Sequence, residues 1–267
     1  MQQLDSFYKV CYNRFFEFEV INAVKNGKIN APIYLSVGQE SIPVGVYSCF
    51  PNAAIFAQHR CHSWYLTYGG NPIALVDELT HKKSGCASGM GCSASIHDPS
   101  IPMFGHSGLM GDQVPIAVGY ALESKKTTVT VIGDGSVEED YVFASMGFAA
   151  TKNLPILFVV EDNNLAILTE KYVRRSWDIV DVACGFGLNA FHSSDDPDEI
   201  SNCISSLTLP ALINVSTCRH LWHSGIGIDG PPAFNSYNSY KQKCKILGVE
   251  VDEIESKIIN EVEKLWK

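Results

Sequence analysis

Two short polar motifs carry the residue types that bind a divalent cation together with a phosphate. The sequence reads Gly-Asp-Gly at 133–135 and Asn-Asn at 163–164. Mg²⁺ takes oxygen ligands, and one carboxylate with one amide oxygen leaves coordination positions open for phosphate oxygens. The glycines beside Asp134 permit a tight turn and the close approach of a phosphate group. The motifs therefore predict a site in which Asp134 and Asn164 hold Mg²⁺ for a phosphate-bearing ligand.

The elements that precede these motifs must bring them together. Uninterrupted β-branched and apolar residues at 127–132 and 155–160 predict strands buried on both faces, and helical spacing at 141–151 predicts a helix between them. Strand, helix and strand form a right-handed unit with parallel strands, and ligands collect outside the carboxyl ends of such strands. We therefore expect Asp134 and Asn164 to lie at the same edge of the sheet.

The remaining elements extend this unit into a layered fold. A further strand is predicted at 210–216 after a polar helix at 197–206, and an amphipathic helix is predicted at 1–24. The chain closes on a helix whose apolar residues recur on one face: Ile254, Ile258, Val262 and Leu265. The expected fold class is α/β, a doubly wound and mostly parallel sheet with helices on both faces, forming a single domain over 1–267.

Glycines and small residues dominate the stretch at 84–111, which has too little bulk for a regular core element. It is expected to be a long loop close to a ligand or another backbone. The small apolar residues at 114–122 predict a buried helix that a neighbour can approach closely. The segment 26–39 is predicted to be a turn-rich loop, followed by a helix that begins near Glu40.

Composition limits the class of partner. The formal net charge of −9 disfavours nucleic acid and anionic membrane surfaces, because both require a basic face. The nine cysteines are scattered without a C-x-x-C pair, which is typical of thiols in a reducing cytosol. No stretch approaches the length of a membrane span. We expect a cytoplasmic protein that binds phosphate through a local feature, such as a metal ion or a helix N-terminus.

The two motifs, in this order and at this spacing, are the signature of thiamine-diphosphate enzymes. The sequence resembles the alpha subunits of 2-oxo acid dehydrogenases, the decarboxylating components that act on pyruvate, branched-chain 2-oxo acids or acetoin. The resemblance covers nearly the whole chain and rests on several motifs: LSVGQE at 35–40, QHRCH at 58–62, the glycine loop through His97 and Pro99, SGLMGDQVPIAVG at 107–119, GDG at 133–135 with Glu139, LPILFVVEDNN at 154–164, and HS at 223–224.

The resemblance implies thiamine diphosphate and Mg²⁺ as cofactors. Asp134, Asn164 and the backbone carbonyl of Ala166 match the metal ligands of the family. The amides of Gly135 and Ser136 match groups near the diphosphate, with Ser136 beginning a helix whose N-terminus favours negative charge.

Further family roles fall on residues outside the metal site. Arg60 matches the arginine that grips the diphosphate, a role suited to its planar fork of donors. Gly108 and Met110 match the support of the aminopyrimidine ring, which is compatible with Met110 also serving as a core residue. His62 and His223 match active-site histidines that contact cofactor phosphate or assist proton transfer.

The sequence departs from the family pattern around the substrate side. Tyr34 stands where many members have histidine, and His59 where many have a diphosphate-binding tyrosine; both can still donate a hydrogen bond to the cofactor. Met90 stands where a basic residue is usual. Ser95 falls at the place of a family histidine, unless His97 fills that place by a local shift.

By resemblance, the function is that of an alpha subunit that decarboxylates a 2-oxo acid and passes the acyl group on. The family places the activating glutamate and the pyrimidine pocket in a separate beta subunit, which implies an α₂β₂ assembly and a lipoyl acyltransferase as a possible acceptor. Two alternatives stay open: a non-oxidative transferase or carboligase of the split transketolase type, and a catalytically silent cofactor-binding subunit.

Overall fold

A parallel sheet of six strands forms the centre of the computed structural model, which describes residues 2–98 and 100–267. Pro99, part of the glycine-loop motif, and Met1, the start of the first predicted helix, lie outside the described residues. The strands of the main sheet are β1 Ala54–Phe56, β2 Met103–Phe104, β3 Thr128–Gly133, β4 Ile156–Asp162, β7 Asn189–Ser194 and β8 Ala211–Ser216. Their spatial order is β2-β1-β3-β4-β8-β7, and β5 Leu165–Ala166 pairs separately with β6 Thr169–Glu170 as an antiparallel hairpin.

Helices cover both faces of this sheet, which confirms the predicted fold class. The helices are α1 Gln2–Lys25, α2 Ser41–Cys49, α3 His62–Thr67, α4 Pro72–Leu79, α5 Gln113–Ser124, α6 Asp140–Lys152, α7 Lys171–Arg174, α8 Ile179–Phe186, α9 Pro197–Ser205, α10 Ser236–Ile246 and α11 Val251–Lys264. Side chains of α5, α6 and α8 form one buried cluster with one face of the strands. Those of α1 to α4 and α9 to α11 form the other. Alternation along β3 divides its residues, with Val131 in one cluster and Ile132 in the other.

Register fixes the geometry of the predicted site. In the β3–β4 ladder Gly133 lies opposite Glu161, so both strands end at the same edge of the sheet. Residues that follow β3 and β4 therefore emerge side by side, as the sequence predicts.

Two local predictions need correction. Residues 136–138 form a single 3₁₀ turn and α6 begins only at Asp140, so Ser136 does not begin the helix. Helix α5 is buried on one side only, because Pro115, Ile116 and Gly119 are exposed. The other predicted helices and strands are observed, including α9 and α11, whereas strands β1, β2 and β7 were not predicted.

The glycine loop is organised by a buried carboxylate. Glu78 at the end of α4 is fully buried and accepts hydrogen bonds of 2.7–3.0 Å from the backbone amides of Ala87, Gly89, Gly91 and Cys92. A Cβ at Gly85 would lie 2.4 Å from this carboxylate, so the close approach requires glycine. Within the loop, β2 adds a short edge strand to the sheet. Among the described residues, no helix is both long and apolar enough to cross a membrane.

Candidate active site

A cavity of about 260 Å³ lies at the carboxyl ends of β3 and β4. Eight of the residues predicted from sequence line it: His59, Arg60, Met110, Asp134, Gly135, Ser136, Ala166 and His223. Four others do not line it: Tyr34, His62, Gly108 and Asn164. The fold thus brings predicted residues from distant parts of the chain to one cavity.

Asp134 is the buried anion of the cavity, with only 2% of its surface exposed. Its carboxylate pairs with the Arg174 guanidinium, and its backbone carbonyl accepts a bond of 2.7 Å from Arg175 Nη1. Burial and the nearby Asp162 raise the pKa of Asp134 to about 6, while the two arginines partly offset that rise. Within the described residues the carboxylate accepts from Arg174 and from no backbone amide of the turn that follows. Its environment is therefore that of an anion held against a cation.

The backbone around Asp134 leaves room only for small residues. A Cβ at Gly135 would lie 2.7 Å from the Ala166 Cβ, so the β5 hairpin packs directly on the Gly-Asp-Gly turn. Ser136 Oγ closes the turn by donating to the Gly133 carbonyl at 3.1 Å. This packing holds the Ala166 backbone against the cavity.

The structure does not bring Asn164 into the cavity lining. Asn164 is exposed and takes a left-handed conformation with φ of 67°. Its amide donates to Asp162 Oδ1 at 3.1 Å, and its carbonyl accepts from the Lys171 amide at 3.0 Å. Its neighbour Asn163 lines the cavity instead. Asn164, the predicted Mg²⁺ ligand, therefore lies at the predicted edge of the sheet. Its backbone is hydrogen-bonded to Asp162 and to the first residue of α7.

Arg60 is also buried and lines the cavity. Nη1 donates to the Leu35 carbonyl at 2.9 Å, and Nη2 donates to the His223 carbonyl at 2.7 Å. Burial, followed by the charge of Arg219, lowers the pKa of Arg60 to about 10, so it stays cationic at neutral pH. The arginine therefore supplies fixed positive charge to the cavity.

His59 presents two unsatisfied ring nitrogens. Both are buried and have no hydrogen-bond partner within the described residues. The ring packs edge-on against Tyr34 at 4.9 Å and lies 5.3 Å from the His223 ring. Burial, then the charge of Arg60, lowers the pKa of His59 to about 2, which keeps it neutral. Tyr34 thus supports His59 from behind the cavity wall.

His62 occupies a different environment from the one its family match predicts. It is fully buried, with Nδ1 3.0 Å from Glu17 Oε2 and Nε2 3.0 Å from Ser93 Oγ. Because both nitrogens are already engaged, neither is available to a cavity ligand. Its placement favours a structural role over the predicted catalytic one.

The loop after β2 supplies the apolar wall. Met110 lines the cavity, and its carbonyl accepts a bond from the Tyr141 hydroxyl. Gly108 is exposed and does not line the cavity; its φ is +102°, and its amide donates to His106 Nδ1 at 2.9 Å. Gly108 therefore shapes this loop from outside the cavity lining.

Several lining residues were missed from the sequence. Arg174 and Arg219 are cations from separate segments, and Gln58 hydrogen-bonds to the buried Glu161, whose pKa burial raises to about 7. Arg219 shortly follows β8, so the strand-end rule could have found it. Arg174 gives no such signal, because its position depends on how the β5–β6 hairpin folds back.

The structure also shows where the glycine-loop residues that differ from the family pattern lie. Met90 is 86% exposed, and His97 is exposed as well. Ser95 Oγ donates to the His106 carbonyl at 2.7 Å. Neither Ser95 nor His97 lines the cavity. A local shift that would place His97 in the site is therefore not observed.

A family model described as "Dehydrogenase E1 component" matches residues 8–204 of the chain. The chain belongs to the dehydrogenase E1 component family. Its membership agrees with the resemblance drawn from the sequence motifs.

Named relatives match this E1 chain at moderate identity. It is 33% identical over 169 residues to the alpha subunit of acetoin:2,6-dichlorophenolindophenol oxidoreductase from Cupriavidus necator, covering 61% of this chain and 51% of the relative. It is 32% identical over 169 residues to the mitochondrial pyruvate dehydrogenase E1 component subunit alpha of Chaetomium thermophilum, covering 61% and 41%. The match thus spans about half the length of these relatives.

Longer alignments reach most of the chain. The pyruvate dehydrogenase E1 component subunit alpha of Rickettsia prowazekii is 24% identical over 282 residues, covering 98% of this chain and 85% of the relative. A transketolase variant from Pichia stipitis superposes with a TM-score of 0.60 at 13% identity, covering 99% of this chain and 46% of the other. The last comparison supports the fold alone.

The arrangement in this E1 chain can bind a phosphorylated ligand with a divalent cation. Arg60, Arg174 and Arg219 supply positive charge, and His59 supplies unpaired polar atoms. Asp134 supplies the carboxylate that a cation requires. Among residues 2–98 and 100–267, no cluster of three or more His, Cys, Asp or Glu side chains forms a metal site.

Proposed function

We propose that this chain is the alpha subunit of a thiamine-diphosphate-dependent 2-oxo acid dehydrogenase. The observation that carries the proposal is the buried Asp134 carboxylate, which lies beside Gly135 and Ala166 in a cavity lined by arginines and histidines. The named relatives, which are alpha subunits of acetoin and pyruvate enzymes, support this class. The substrate is accordingly a small 2-oxo acid.

The residues present fit the two cofactors. Asp134, Asn164 and the carbonyl of Ala166 would hold Mg²⁺, which would replace Arg174 as the counter-ion of Asp134. Asn164 would contribute after its side chain turns toward the cavity. The unpaired nitrogens of His59 fit a ligand rich in acceptors, because buried polar groups without partners are costly.

The diphosphate would be held by groups on two walls. Arg60 supplies charge, and Gly135 with Ser136 supply backbone at the turn. Tyr34 holds the His59 ring in place through edge-on packing. These contacts fix the phosphate end of the ligand and orient the remainder.

When bound, thiamine diphosphate supplies a nucleophilic carbon and an electron sink for decarboxylation. The protein orients the substrate and moves protons. His223 Nδ1 lies 3.3 Å from Arg60 Nη2, a donor, so its proton resides on Nε2. Burial and Arg60 lower the pKa of His223 to about 4, so at neutral pH it is a neutral donor of a hydrogen bond. Met110 provides an apolar surface beside these groups.

The remaining machinery is assigned to partners. A beta-type subunit would supply the pyrimidine pocket and its activating glutamate, in an α₂β₂ assembly in the cytoplasm. A lipoyl acyltransferase would accept the acyl group. The isolated chain should therefore bind cofactor weakly and turn over nothing, and decarboxylation of pyruvate by the pure chain would contradict this division of roles.

Calorimetric titration tests cofactor binding directly. Thiamine diphosphate should bind in the presence of Mg²⁺ and lose affinity by at least about tenfold in excess chelator, because the diphosphate and the protein share one coordination sphere. Thiamine without phosphate is the matched control and should bind in neither condition. Equal affinity with and without Mg²⁺ would refute the metal assignment.

A further inference from the structure

His106 is a buried polar residue for which the assignments above provide no role. Only 5% of its surface is exposed, and it follows the short strand β2. Its backbone carbonyl accepts the Ser95 hydroxyl at 2.7 Å. His106 thus lies directly against the position where the family pattern has a histidine and this chain has serine.

Hydrogen bonding fixes the tautomer of this ring. The Gly108 amide donates to His106 Nδ1 at 2.9 Å, so Nδ1 carries no proton and Nε2 carries it. The Nε2 atom is buried and has no partner within the described residues. An unsatisfied buried donor is unfavourable, and an acceptor on a bound ligand would remove that cost. His106 is therefore a donor of fixed orientation without an acceptor.

The location of the ring relates it to the cavity. Its centre lies 6.1 Å from the centre of the His59 ring, which lines the cavity. The same loop continues to Met110, the apolar residue of the cavity wall. The positive charge of the site comes from other segments, through Arg60, Arg174 and Arg219. His106 does not itself line the cavity; its ring lies next to that of His59, in the loop that carries the uncharged Met110.

We propose that His106 contacts the substrate, donating a hydrogen bond from Nε2 to a carboxylate or carbonyl oxygen of the 2-oxo acid. His106 makes the contact that Ser95 is too short to make, and it approaches from the part of the glycine loop that follows β2. This inference rests on the proposed function. A neutral donor suits this contact, because it stabilises an oxygen acceptor without adding another cation beside Arg60.

Histidine side-chain NMR of the full chain, labelled with ¹⁵N at histidine and assembled with its beta-type partner, tests the contact. Mg²⁺ with thiamine diphosphate is added first, and glyoxylate is added second, since it carries only the two groups that all 2-oxo acids share. The His106 signal, assigned by its loss in His106→Gln, should stay in place at the first addition and shift at the second. The His59 signal should shift at the first addition.

Each other outcome has a definite meaning. A His106 signal that shifts with the cofactor alone would overturn the substrate assignment in favour of a cofactor contact. A His106 signal that never shifts, while His59 does, would overturn the inference and leave the proposed function standing. If neither histidine responds, the proposed function fails together with the inference.

Two substitutions separate the donor from the loop structure. His106→Asn keeps a short acceptor for the Gly108 amide but lacks a donor at the Nε2 position, so affinity for glyoxylate should fall by about fivefold. His106→Gln reaches that position with an amide donor and should retain most of the affinity. Ser95→Ala is the control for disturbance of the loop. Equal losses in all three variants would show a structural role and refute the contact; if His106→Asn does not fold, the wild-type NMR result and His106→Gln still decide.

Discussion

His59 and His62 are three residues apart in one motif, and both match site residues of the family, but their surroundings differ. Both nitrogens of His62 are engaged, by Glu17 and Ser93, in a fully buried network. Within the described part of the chain, both nitrogens of His59 are buried at the cavity wall without a hydrogen-bond partner. Burial alone therefore does not distinguish the two residues, whereas hydrogen-bond satisfaction does.

The difference shows how one motif divides its work. The His62 network binds α1 to α3 and continues through Ser93 to the Tyr34 amide at 2.8 Å. Tyr34 in turn packs against His59. The His62 network, in which both ring nitrogens are hydrogen-bonded, thus supports His59. Of the two histidines, His59 is the one whose ring nitrogens are free to bind a ligand.

The largest effect is expected from His62→Ala. Burial alone would raise the pKa of Glu17, but the charge and hydrogen bond of His62, with the bonds from Ser36, hold it below its usual value. Removing the histidine leaves a buried carboxylate without its partner, which should cost about 3–5 kcal/mol of unfolding free energy. Denaturant unfolding measures the loss.

The matched control is His62→Gln, which can keep hydrogen bonds to Glu17 and Ser93 and should lose less stability. In both variants the folded protein should bind thiamine diphosphate with Mg²⁺ nearly as well as wild type. A stable His62→Ala protein with strongly reduced cofactor affinity would reverse the comparison and make His62 a site residue.

Asp134→Ala should have the next largest effect, on binding rather than on folding. Within the described residues the carboxylate accepts from no backbone amide of the turn that follows, and Arg174 keeps Glu138 as a second partner, so the fold should survive. Mg²⁺ would lose its only charged protein ligand. Cofactor affinity should then fall by at least about tenfold, equivalent to roughly 1.4 kcal/mol.

Calorimetry and thermal melting, run in parallel, separate the two effects of Asp134. Asp134→Asn retains an acceptor for Arg174 without the charge, and should also lose affinity. Asp140→Ala removes an exposed carboxylate at the start of α6 and should change neither property. A destabilised Asp134→Ala protein that binds the cofactor normally would show that the aspartate is structural.

The sequence predicted those parts of the site that depend on strand ends. Asp134 and Ala166 follow β3 and β4, and the parallel register of two continuous apolar runs places them together whatever the rest of the chain does. Strands β1 and β2 are three and two residues long, too short for a periodic signal. Strand β7 is an edge strand with a polar sequence, so it also lacks the apolar pattern that predicts a strand.

Residues placed by loop packing could not be predicted. Arg174 reaches Asp134 because the β5–β6 hairpin turns back, and Ile167 within it takes a left-handed φ of 55° that the sequence does not indicate. The two histidines of the QHRCH motif could not be separated either. The hydrogen-bond partners of His62 come from α1 and the glycine loop, which are distant in sequence, whereas His59 has none within the described residues.

The smallest effect, and the one that sharpens the comparison most, is expected from His59→Phe. Phenylalanine keeps the ring packing against Tyr34 and removes two unpaired nitrogens, so the variant should be more stable than wild type by about 1 kcal/mol at neutral pH. Wild-type His59 is neutral when folded, with a pKa of about 2, but titrates near 6.5 when unfolded. The unfolded state therefore takes up the proton first, and wild type should lose stability as the pH falls below 6.5, whereas the variant lacks this loss.

Denaturant unfolding at pH 8 and pH 5 should show the advantage of His59→Phe growing toward acid, while cofactor affinity falls severalfold. The exposed His97→Phe serves as the control and should show neither change. A variant that is less stable than wild type at both pH values would mean that His59, like His62, has its nitrogens satisfied, and the distinction between the two histidines would fail.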